Sequence, residues 1–111
     1  MAGYYDHDST FEDRLGKCYE VAARWVLDSN SSQTFLIHGT IQGEGHPRLD
    51  HAWCESAGQV FEAVEGKWYD KYVHEQLFNA EETLRYTKEE VLVNILKEEH
   101  WGPWDMRILV G

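Results

Sequence analysis

The sequence predicts an α+β fold: an N-terminal helix carrying a cysteine, packed on an antiparallel sheet of three to four strands. Three observations point there. Cys18, Val21, Ala22, Trp25 and Val26 recur at i, i+3, i+4, i+7 and i+8, which is one face of a helix. Residues 35–65 hold three runs rich in branched and aromatic residues, separated by turn-forming glycines. Thr87-Lys88-Glu89-Glu90 has the spacing of a capping box, and Val91, Leu92, Ile95 and Leu96 follow as an apolar stripe.

The elements follow in order. Residues 1–10 are polar and aromatic without periodicity and read as an irregular arm. A helix is expected over 11–28, where Ser9 and Glu12 have capping spacing and Gly16 interrupts the early turns. Asp28-Ser29-Asn30-Ser31-Ser32 is a loop by composition. Phe35–Ile41 is the first strand, Gly43–Pro47 a turn, Leu49–Glu55 the second strand and Gln59–Glu65 the third. A hairpin folding about Ala57-Gly58 sets Glu55 opposite Val60 and Trp53 opposite Glu62. Gly66–Trp68 reads as a turn and Tyr69–Phe78 as a short helix or irregular crossover. The remainder of 69–111 supplies covering helices, a stop at Gly102-Pro103 and a possible last strand at Met106–Val110.

At 111 residues the chain is expected to be a single domain, 1–111, able to bury a core without disulfides or metals. Ten basic residues against twenty acidic ones give a formal charge of -10. Such a surface repels phosphate backbones, which argues against nucleic acid and anionic membranes as partners. No apolar run is long enough to span a bilayer and no signal-peptide pattern opens the sequence, so a soluble, cytoplasmic protein is expected. Two cysteines in a reducing compartment are expected as free thiols.

Chemistry concentrates at Cys18, His51 and Glu62. Cys18 opens a helix, where unpaired backbone amides and the helix dipole favour a thiolate and can also hold a developing oxyanion. His51 lies on the second strand and would act as general base, then as acid toward a leaving group. Strand alternation puts His51, Trp53, Glu62 and Val64 on one face, with Glu62 diagonal to His51 and the only carboxylate on that face of the hairpin. Glu62 would fix the imidazole tautomer. Asp50 and Glu65 point the other way, and Asp70 is the fallback if the register differs. Trp53 is placed to wall a substrate groove, while Cys54 faces away from His51 and reads as structural. The six histidines are scattered without His-x-x-x-His or Cys-x-x-Cys pairs, so no metal site is expected. No glycine-rich phosphate loop precedes a helix, and no cofactor is expected.

A cysteine opening a helix, then a strand with His51-Ala52-Trp53-x-Glu55, then a strand with an acidic residue, resembles the papain/transglutaminase-like cysteine enzymes. The His-Ala-Trp-x-Glu string is similar to the histidine strand of the transglutaminase-like branch. His38-Gly39, Arg85-Tyr86-Thr87-Lys88-Glu89-Glu90 and Gly102-Pro103-Trp104-Asp105 are similar to strings in small phage and bacterial proteins with this core. Two departures stand out: the third position is usually Asp or Asn rather than Glu, and no Gln precedes the nucleophile. Tyr5, or Tyr4, is the upstream aromatic that the resemblance would put beside the substrate.

The resemblance implies a small enzyme that acts on an amide, isopeptide or ester carbonyl of a protein or peptide-like substrate through an acyl-thioester on Cys18. Hydrolase, deamidase and acyltransferase all remain open. The alternative is a non-catalytic protein-binding module on the same fold, for example a phage factor that blocks a host protein in the bacterial cytoplasm.

Overall fold

The computed structural model describes residues 17–104. The expectations for the 1–10 arm, for the helix before Lys17, for Tyr4 and Tyr5, and for a strand at 106–110 lie outside the described residues. Within them the order is α1 (Cys18–Asp28), β1 (Thr34–Ile41), β2 (Leu49–Ser56), β3 (Gln59–Glu62), β4 (Lys67–Asp70), α2 (Lys71–Phe78), β5 (Glu81–Thr87) and α3 (Lys88–Glu98). The strands form one antiparallel sheet in the order β4-β3-β2-β1-β5. The fold is α+β, with five strands where three to four were expected.

α1 forms where the apolar spacing placed it. Val21, Ala22, Ala23 and Val26 are buried, and the two alanines let the helix approach β2 closely enough for Cys54 Sγ to donate to the Ala22 carbonyl at 3.3 Å. The loop after it is held by short polar side chains: Ser29 Oγ pairs with Thr34 Oγ1 at 2.9 Å and accepts from the Ser31 amide. Two apolar clusters sit on opposite faces of the sheet, as two-residue alternation requires. Leu36, Ala52, Cys54 and Tyr86 face α1 and α3, whereas Ile37, Trp53 and Val60 face the side that α2 covers with His74.

The β2–β3 hairpin turns on Ala57 (φ 52°) and Gly58 (φ 78°), two left-handed residues that fit a two-residue reversal. Its register is the expected one, with Glu55 opposite Val60 and Cys54 opposite Phe61. Three strands were read otherwise from sequence. β3 stops at Glu62, short of Glu65, and the chain turns through Gly66 (φ 75°), whose amide bonds the Glu62 carbonyl at 2.7 Å. The chain then returns as β4, where a turn and the start of a crossover were expected. Among the described residues β5 pairs only with β1, and it carries Glu81, Glu82 and Arg85, the charged composition of an edge strand, which hides its periodicity.

Gly39 lies where β1 and β5 shift register, and only a hydrogen fits there: a Cβ would overlap the Glu81 carbonyl and come within 2.7 Å of Trp53. α3 starts with the complete capping box: Thr87 Oγ1 accepts from the Glu90 amide at 3.1 Å, and Glu90 Oε1 from the Thr87 amide at 2.9 Å. It ends at Glu99, which is left-handed (φ 60°), before Gly102-Pro103 is reached.

Candidate active site

β2 pairs with β3 only from Cys54 to Ser56, so the β2 edge at His51 has outrun its neighbour. His51, Glu62 and the first residue of α1 come together in this region. His51 Nε2 lies 2.8 Å from Glu62 Oε1, and the Cys18 side chain is close enough to the His51 ring to raise its pKa. A carboxylate has only acceptors, so His51 donates from Nε2 and leaves Nδ1 for Cys18. The N-cap of α1 is Lys17, whose side chain makes no capping hydrogen bond to the first-turn amides beside Cys18.

The charges at the site follow from this geometry. Burial on its own disfavours the His51 imidazolium, but hydrogen bonds to Cys18 and Glu62 and the negative charge of both outweigh it and push the pKa up to about 10. Burial would raise the Glu62 pKa, yet hydrogen bonds from His51 and His74, and their charge, hold it below the usual carboxylate value. The arrangement favours a proton on His51 and a negative charge on Glu62, an imidazolium–carboxylate pair.

His74 is the residue that sequence reasoning missed. It rises from α2 and lies 2.6 Å, Nε2 to Oε2, from the same Glu62 carboxylate. Its ring is 1% exposed and packs against Trp53 (5.1 Å between centroids), Phe78 (4.8 Å) and Tyr69 (5.9 Å). The only local signal was its place in the aromatic run from Tyr69 to Phe78.

The other candidates are placed as follows. Trp53 is 4% exposed and lies behind the two imidazoles, so it supports them from the interior instead of facing open solvent along a groove. Asp70 caps α2, accepting from the Tyr72 amide at 2.9 Å. Glu65 accepts from the Tyr69 hydroxyl at 2.8 Å. Glu55 shares the His51 face, which corrects the expectation that Glu62 is the only hairpin carboxylate there. It pairs with Arg85 at 2.9 Å and Lys71 at 3.4 Å. Cys54 is fully buried, and burial pushes its thiol pKa well up. Among the described residues, no group of three or more His, Cys, Asp or Glu side chains is disposed to hold a metal ion.

On the α1 face, His38 is buried among Tyr19, Tyr86 and Trp104, with ring centroids 4.9, 4.9 and 5.2 Å away. Neither ring nitrogen has a hydrogen-bond partner among the described residues, and burial lowers the pKa to about 4. Beside it lies a cavity of about 210 Å³ bounded by Tyr19, Asp50, Leu84 and Trp104. No helix among the described residues is long and apolar enough to cross a membrane. Comparison of the chain with protein-family models, with curated proteins and with solved structures finds no match in any of the three.

Proposed function

We propose that this chain is a small cysteine enzyme of the papain/transglutaminase-like kind, which forms an acyl-thioester on Cys18 from an amide, isopeptide or ester substrate. The observation that carries the proposal is the convergence of Cys18, His51 and Glu62, contributed by a helix tip and two strands, with His51 bonded to Glu62 and under the influence of Cys18. In the first step Cys18 Sγ attacks the carbonyl carbon and a C–S bond forms. The carbonyl oxygen becomes an oxyanion, to which the first-turn amides of α1 would donate. Collapse breaks the C–N or C–O bond, and His51 Nδ1 gives its proton to the departing amine or alcohol. Water or an amine then gives His51 a proton as it attacks the thioester, and Cys18 leaves as thiolate.

Glu62 keeps Nε2 protonated and the ring turned toward Cys18 throughout. The acidic surface favours a protein or peptide-like substrate over a polyanion. Two free cysteines, one of them the nucleophile, suit a reducing cytoplasm.

The test is acylation by p-nitrophenyl acetate. A stoichiometric burst of p-nitrophenolate with the acetyl group mapped to Cys18, abolished by Cys18→Ala and slowed by His51→Ala, is expected. An added primary amine then separates transfer from hydrolysis. A burst that survives Cys18→Ala, or none above a free cysteine peptide, contradicts the reading and favours a binding module on this fold.

A further inference from the structure

Building on Cys18 as the nucleophile, we propose that His74 is a positioning residue: it anchors the Glu62 carboxylate against His51 and so sets the reactivity of Cys18 through two intervening side chains. The Glu62 carboxylate is shared. Oε1 accepts from His51 Nε2 at 2.8 Å and Oε2 from His74 Nε2 at 2.6 Å.

Glutamate has a longer and more mobile arm than the aspartate or asparagine expected at such a position, so an orienting glutamate needs an anchor of its own. His74 supplies that anchor, since it is itself fixed by Trp53, Phe78 and Tyr69 and carried on a helix whose start Asp70 caps. Glu62 is 2% exposed, and a buried carboxylate with one partner would be left half satisfied.

The second imidazole also explains why the residue is a glutamate. The extra methylene lets one carboxylate span the gap between a ring on β2 and a ring on α2. A glutamine at this position would set its NH2 against one of two N–H donors. Filling a core is a role His74 shares with any aromatic residue. Supplying the Nε2 proton to Glu62 is not.

The experiment measures the iodoacetamide alkylation rate of Cys18 against pH in the whole chain. His74→Phe keeps the ring packing and removes the donor, whereas His74→Gln keeps an N–H. At mildly acidic pH the phenylalanine variant is expected to alkylate about tenfold more slowly than wild type, the worth of one hydrogen bond to a charged group, with glutamine restoring most of the rate. In a Glu62→Ala background the same His74 substitutions are expected to have no further effect. A His74→Phe profile that overlays wild type overturns the proposal, as does an equal loss with and without Glu62. If His51→Ala also leaves the profile unchanged, the nucleophile reading fails; if His51→Ala slows alkylation and His74→Phe does not, only the His74 role falls. Should His74→Phe not fold, the ¹⁵N spectrum of wild-type imidazoles decides: a protonated His74 Nε2 is expected, and an unprotonated one overturns the proposal.

Discussion

His51 and Glu62 meet side chain to side chain across the β2–β3 hairpin, Nε2 to Oε1 at 2.8 Å, although they are eleven positions apart in the chain. That contact fixes which His51 nitrogen is left for Cys18, and it ties the site to the stability of the fold.

The tie is visible in the pH dependence of unfolding. The native His51 pKa is raised to about 10 from an ordinary value of 6.5, so the folded state holds a proton that the unfolded state releases in between. Its stabilising contribution is complete below about pH 6.5 and is lost as pH rises from there through 10. The urea midpoint is expected to fall across that alkaline window in wild type and to fall less in His51→Gln. A midpoint equally flat in both proteins counts against the charged pair.

His38 acts in the opposite direction. It stays neutral in the native state down to about pH 4, so between 6.5 and 4 the unfolded chain takes up a proton that the folded chain refuses. Stability is therefore lost as pH falls through that window. His38→Phe keeps the ring contacts and removes two nitrogens that have no partner among the described residues, and is expected to raise stability at neutral pH by about 1 kcal/mol and to flatten the acid limb. Chemical denaturation at several pH values checks both effects.

The capping box gives a local test of α3. Thr87→Ala removes the acceptor for the Glu90 amide and is expected to cost about 1 kcal/mol. A denaturation midpoint at the wild-type value would show that tertiary contacts, Val91 foremost, hold the helix without its cap.

Much of this architecture was legible because it is local. The α1 face is written in the spacing of Cys18, Val21, Ala22 and Val26, and the hairpin register follows from a two-residue turn at Ala57-Gly58. Once that register was set, the approach of Glu62 to His51 followed from strand alternation. β4 was missed because four residues, Lys67–Asp70, carry almost no periodicity. β5 was missed because an edge strand fills its outward positions with charge. His74 was missed for another reason. Its approach to Glu62 depends on how α2 packs across the sheet, a tertiary relation that no spacing in the sequence encodes.

The most direct test of Cys18 as an activated nucleophile is site-resolved iodoacetamide labelling of both cysteines at mildly acidic pH, in wild type and in His51→Ala. An unassisted thiol is only about 1% thiolate two pH units below its pKa, so it reacts slowly there. Wild-type Cys18 is expected to label at least about tenfold faster than Cys18 in His51→Ala, the minimum expected from a neighbouring imidazolium. Cys54, 0% exposed and bonded to the Ala22 carbonyl, is expected to label slowly in both proteins. Equal Cys18 rates in the two proteins, or Cys54 labelling as fast as Cys18, would contradict it.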